Sequence, residues 1–140
     1  MRLSGGIRPA VTLAAFVTTG LLAVSCMAGE TGAGYADGDR VWTLTELNGA
    51  PFTARATLSF PEPDQIAGQA PCNRYFGPMT APYPAFETGA VASTKMACPD
   101  LEAEDAFFTA LAQMTHADVM ETTLILRNDQ GAQMVFTASE

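Results

Sequence analysis

Two runs, Ala70-Pro71-Cys72-Asn73-Arg74-Tyr75-Phe76-Gly77 and Ser93-Thr94-Lys95-Met96-Ala97-Cys98-Pro99, carry Cys72 and Cys98, two of the three cysteines in a chain of 140 residues. Strand-like sequence lies before, between and after them. In a chain that leaves the cytoplasm, an even pair of cysteines reads as a disulfide. The 25 residues between them form a loop whose closure stabilises a fold by about 3–4 kcal/mol in the chain-entropy description. A redox-active pair and two free thiols are the alternatives. Active dithiols usually stand close together as Cys-x-x-Cys with a lowered thiol pKa, and these two do not. The expectation is a small β-rich domain built around one covalent joint.

The flanking sequence supplies the strands. In Val41-Trp42-Thr43-Leu44-Thr45-Glu46-Leu47, Trp42 and Leu44 share one face and Thr43 and Thr45 the other, a period of two. Asn48-Gly49 follows as a turn of residues that tolerate positive φ. Ala56 to Phe60 alternates again, Pro61-Glu62-Pro63-Asp64 breaks it, and Gln65 to Gln69 returns as a short strand. Gly68 inside that strand predicts a bulge or a close backbone approach. Arg74 to Met79 reads as a strand with Tyr75 and Phe76 on opposite faces, and Thr80 to Pro84 as a loop or edge because its prolines lack a ladder donor. Phe86 to Ser93 supplies a further strand or two around Gly89.

Asp100 to Met114 is the one helical segment, with Asp100 as N-cap and Glu102, Glu104 and Asp105 at the positive end of the helix dipole. Phe107, Leu111 and Met114, with Phe108 beside them, form an apolar stripe best read as core packing. Val119–Met120, Thr123–Arg127 and Gln133–Thr137 close the chain as strands, the last two joined by a hairpin at Asn128-Asp129-Gln130-Gly131. Strands, one helix, then strands predicts an α+β fold, mainly antiparallel β, with a sheet curled over a single helix.

The N-terminus is of a different kind. Residues 1–25 carry Arg2 and Arg8 and then an uncharged apolar run from Ala10 through Val24, the layout of a secretory signal peptide. Leu22-Ala23-Val24-Ser25-Cys26 resembles a bacterial lipobox, with Ala23 standing where leucine is usual. Cys26 is therefore the expected lipidation site, and the acyl chains would anchor the protein to a membrane. Met27 rather than aspartate after it suggests, by the same resemblance, the outer membrane facing the periplasm. The alternatives are ordinary cleavage after Ser25 or Ala28, leaving a soluble periplasmic protein, and an uncleaved anchor. Residues 26–39, rich in Gly and Ala with scattered acids, read as a flexible tether ahead of a domain at 40–138. Without residues 1–25, 15 acids face 5 bases, a net charge of −10 that repels nucleic acid and anionic headgroups. Membrane attachment must then come from lipid.

No catalytic constellation is expected. His116 is the only histidine, so a zinc site lacks ligands and a hydrolase lacks an evident base beside a nucleophile. The acids at 100–105 follow no calcium-loop pattern and read as a helix start with a solvated face. No metal and no cofactor is implied. Asn73, Arg74, Thr94, Lys95 and Met96 are polar or long side chains beside the proposed joint and form the candidate recognition surface. The competing reading is that Asn73 and Thr94 satisfy buried backbone groups there.

These pieces together resemble the META domain (HslJ-like) family. The resemblance rests on Trp42-Thr43-Leu44 with Asn48-Gly49, Leu58-Ser59-Phe60, Gly68, and Cys72-Asn73-Arg74-Tyr75 with Gly77. It continues through Ser93 to Pro99, Glu104 with Phe107-Phe108 and Leu111, and Leu124-Ile125-Leu126. It spans roughly Val41 to Thr137 and departs at Pro71, where the family more often has glycine. The resemblance implies a cracked or half-open β-barrel-like sheet with one helix packed on it. It also implies a bacterial envelope lipoprotein or exported protein without established enzymatic activity, some members being linked to heat stress and novobiocin resistance. The family fold has been likened to that of pilot lipoproteins that chaperone secretion machinery. The expected function is therefore a non-enzymatic, lipid-anchored monomer that supports envelope stress tolerance by contacting an envelope protein partner. Holding an apolar small molecule or lipid in the half-open sheet is the alternative, and a thiol oxidoreductase using Cys72 and Cys98 is a third.

Overall fold

The computed structural model describes residues 5–6, 35 and 39–138. The expected leader over 1–25, with the exception of Gly5 and Gly6, and the acylation site Cys26 lie outside the described residues, as does the tether apart from Tyr35 and Asp39.

Nine strands and one helix follow in chain order: β1 (Trp42–Leu47), β2 (Ala50–Pro51), β3 (Thr57–Glu62), β4 (Gln65–Gln69), β5 (Arg74–Pro78), β6 (Ala92–Ser93), α1 (Leu101–Gln113), β7 (His116–Met120), β8 (Thr123–Arg127) and β9 (Gln133–Ala138). They form one sheet in the order β6-β5-β4-β3-β1-β9-β8-β7, with β2 pairing beside β1. Every ladder is antiparallel. The sheet curls but does not close into a barrel, because its two edges, β6 and β7, do not pair with each other. The fold is the expected α+β, half-open and mainly antiparallel.

Local chemistry accounts for the turns. Asn48 and Gly49, with φ of 52° and 79°, make the β1–β2 connection in the left-handed region that these residues tolerate. The β8–β9 turn places Gly131 at φ 87°. Alternation places Trp42, Leu44, Leu58, Ile66, Leu124, Leu126, Met134 and Phe136 inward, where they meet Phe107 and Leu111 of the helix in one core. Each such side chain contributes about 1.5–3 kcal/mol by leaving water. Tyr75 is buried and Phe76 exposed, as a strand of period two requires. At the start of the domain Arg40 Nη1 donates to the Glu121 carbonyl at 2.7 Å, and its guanidinium lies 5.4 Å from the Trp42 ring centroid.

Three expectations need correction. The region 86–93, read as a strand or two, forms only the short β6 and one isolated bridge, Thr88 with Met79, while the preceding Ala85 bridges His116. Residues 79–89 instead fold into a strap across the open side of the sheet. Its Phe86 N–H donates to the Thr115 carbonyl at 2.9 Å, and the Ala117 N–H donates to the Pro84 carbonyl at 2.8 Å. Pro82 and Pro84 have no N–H to give a continuous ladder, yet a proline carbonyl still accepts, so pairing survives as single bridges. Asp100 stands at the start of α1, but its side chain makes no capping bond. Its φ of −96° and ψ of 20° are off the extended conformation a capping side chain uses. Tyr35, placed in the tether by composition, is only 1% exposed and belongs to the core.

Candidate functional site

Cys72 and Cys98 are joined by a disulfide, with their Cα atoms 5.8 Å apart. Cys72 lies just before β5 and Cys98 just before the helix, so the bond ties the sheet to the start of α1. Beside the sulfurs is a polar knot. Glu104, in the first turn of α1, is 5% exposed, and Asn73 is 3% exposed. Glu104 Oε2 accepts from the amides of Cys72 and Asn73, each at 2.8 Å, and Oε1 accepts from Asn73 Nδ2 at 2.7 Å. Asn73 Nδ2 also donates to the Met96 carbonyl at 3.2 Å, while its Oδ1 accepts from the Met96 amide at 2.6 Å and from Thr94 Oγ1 at 2.9 Å. Thr94 Oγ1 in turn accepts from the Arg74 amide at 3.2 Å.

The knot has a definite electrostatic character. Burial pushes the Glu104 carboxyl upward. The donors from Asn73 and from the Cys72 and Asn73 amides, with the nearby charge of Lys95, outweigh that and hold it below its ordinary value of 4.5. A carboxylate with both oxygens already engaged is built to organise backbone, not to exchange protons with a substrate. Glu104 was read from sequence as part of a solvated face, and that reading is corrected. The available signal was its position: residues 104, 107, 111 and 114 follow helical spacing, so the acid shares the apolar stripe.

The candidate recognition residues therefore divide. Asn73 is interior, and Thr94 uses its hydroxyl inside the knot. Arg74, Lys95 and Met96 are exposed, Met96 at 65%. Sequence reasoning missed Phe76, 58% exposed on the outer face of β5 between its cross-strand partners Ala67 and Ala92. Its alternation with Tyr75 was the signal for that exposure. Among the described residues neither Arg74 nor Lys95 makes an ion pair, whereas Arg127 donates to Asp118 at 2.8 Å. Beyond β6, a cleft of about 380 Å³ lies between the strap and the helix, lined by Gly89, Val91, Ser93, Phe108 and Leu111.

His116 sits on the β7 edge, its Nδ1 2.9 Å from Thr115 Oγ1 and 4.0 Å from an Asp129 oxygen. Among the described residues no group of three His, Cys, Asp or Glu side chains is placed to hold a metal ion, and no helix is long and apolar enough to cross a membrane.

A family model described as META domain matches residues 37–140. An NMR structure of a protein from Burkholderia xenovorans is similar at a TM-score of 0.60 and 21% identity, covering 97% of each chain. A second NMR structure is similar at a TM-score of 0.57 and 22% identity, covering 71% of this chain and 89% of the other. At such identities the likeness concerns the fold. No curated protein matches.

Proposed function

The chain belongs to the META domain family, and on that footing we propose that it is an envelope-associated, non-enzymatic protein. In this reading it is anchored through an acylated Cys26 to the outer membrane and contributes to envelope stress tolerance by docking on another envelope component. The disulfide supports an oxidising compartment, since such bonds are rare in the cytosol. One observation carries the docking role. The two most exposed large hydrophobic side chains among the described residues, Met96 and Phe76, lie with the exposed cations Arg74 and Lys95 along one sheet edge of an acidic molecule. That combination fits a partner segment carrying carboxylates and apolar side chains, because steering and apolar burial then act at the same place.

A photo-crosslinking residue at position 76 in cells tests the reading. A discrete adduct with an envelope protein is expected, weakened by Arg74→Glu and absent when the crosslinker stands at exposed Met120 on β7. Equal adducts at 76 and 120, or none at 76, would exclude docking at this edge. Binding of an apolar molecule is the second reading, and the cleft beside Phe108 and Leu111 favours it over the packed interior of the sheet.

A further inference from the structure

Tyr35 is the only aromatic residue between Cys26 and Trp42, in a stretch dominated by Gly, Ala and acids. Its ring stacks on Phe60 with centroids 4.1 Å apart and planes 22° apart, and meets the Tyr83 ring edge-on at 5.2 Å and 83°. Its hydroxyl donates to the Ala85 carbonyl at 3.0 Å. Phe60 belongs to β3 and Tyr83 and Ala85 to the strap, so the ring sits in a slot between two elements that are remote in sequence. The slot offers a face for stacking, an edge and, where the para position ends, an acceptor. Those three features describe a neutral phenol more closely than any other common group.

We propose that this slot is a binding site for a para-substituted phenol, occupied in cis by Tyr35, so that a ligand bearing such a ring displaces the Tyr35 side chain as it enters. The physical basis is competition. A side chain delivered by a short connection acts at an effective concentration of about millimolar, so the slot stays closed to weak ligands and opens to stronger ones. Burial and the neighbouring Tyr83 push the Tyr35 phenol well above its ordinary range, so the donor to Ala85 persists at any neutral or mildly alkaline pH. The site is separate from the β5–β6 edge and stands or falls independently of docking there.

The test titrates 4-methylphenol, with toluene as a donor-less control, into the isotope-labelled full chain. Tyr35→Gly is expected to bind 4-methylphenol with amide shifts at Ala85 and Phe86, and the unmodified chain to require at least about tenfold more because the slot is taken. In Tyr35→Gly, toluene should bind about two- to tenfold more weakly than 4-methylphenol, the worth of one hydrogen bond. Tyr35→Phe keeps the ring and the packing and loses only the donor, so 4-methylphenol should displace it at about two- to tenfold lower concentration than it displaces Tyr35. At saturation the Tyr35 ring signals of the unmodified chain should move to solvated values. A folded Tyr35→Gly with no shift at Ala85 and Phe86 overturns the proposal. So do equal displacement midpoints for tyrosine and phenylalanine at position 35, a readout that survives even where the glycine variant does not fold.

Discussion

At the scale of single residues, Glu104 is the side chain on which the joint turns. It gathers two adjacent backbone amides and the Asn73 side chain around one carboxylate, and hydrogen bonds to charged groups are worth about 1.5–3 kcal/mol each against a missing partner. Glu104→Gln leaves one oxygen as acceptor and turns an amide nitrogen toward donors. Chemical denaturation at pH 7 should show a loss of about 2–3 kcal/mol. The pH dependence has a definite sign. The folded carboxyl titrates below its ordinary value of 4.5, so its contribution is whole above that pH and fades as pH falls through the lowered value. The gap between the parent chain and Glu104→Gln should therefore narrow in acid, and a gap that widens there would refute the assignment. The burial of Glu104 was legible in its helical position, but its partners were not. Nothing in a sequence says that residue 104 meets residues 72 and 73, since that encounter is made by the fold.

At the scale of elements, the strands were legible and the strap was not. Alternation in β1, β3, β8 and β9 announces which face is buried, because a one-residue slip would turn every side chain over. The strap has no such period. Its order comes from bridges to Thr115 and Ala117, some 30 residues later, and from the Tyr35 ring. Gly68 shows where element packing is tightest. A Cβ there would meet the Thr57 carbonyl oxygen on β3 and lie 2.8 Å from Tyr75 Oη, which itself donates to the same carbonyl at 2.6 Å. Gly68→Ala must displace backbone, not a flexible side-chain end, and should cost about 3 kcal/mol by thermal or urea unfolding. Tyr75→Phe on that background removes the hydroxyl but leaves the carbonyl clash, so it should recover little of the loss. Full recovery would mean that the hydroxyl, not the β3 backbone, sets the limit.

At the scale of the whole molecule, the disulfide and the carboxylate knot hold the same place by different means. The bond acts chiefly on the unfolded chain and the knot on the folded one. Thiol labelling of the protein without reductant should find neither Cys72 nor Cys98, and labelling of both would refute the bond. Replacing both cysteines by serine should lower stability by about 3–4 kcal/mol while the domain still folds. The added loss from Glu104→Gln in that background should differ from its loss alone, because the two changes share the Cys72 peptide and are not independent. The covalent pairing and the overall architecture were readable from two cysteines and the spacing of turns, whereas the exposed Phe76–Met96 edge emerges only when β5 and β6 stand side by side.

Strand β1 lies between β3 and β9, so the first and last strands of the domain are neighbours in the middle of the sheet. A nascent chain cannot complete its centre until Ala138 has cleared the ribosome, and every shorter intermediate is left with a gap where the final hairpin belongs. Synthesis thus ends with the centre of the sheet still open. A premature stop that removes the last few residues would strip the sheet of its spine, not its fringe.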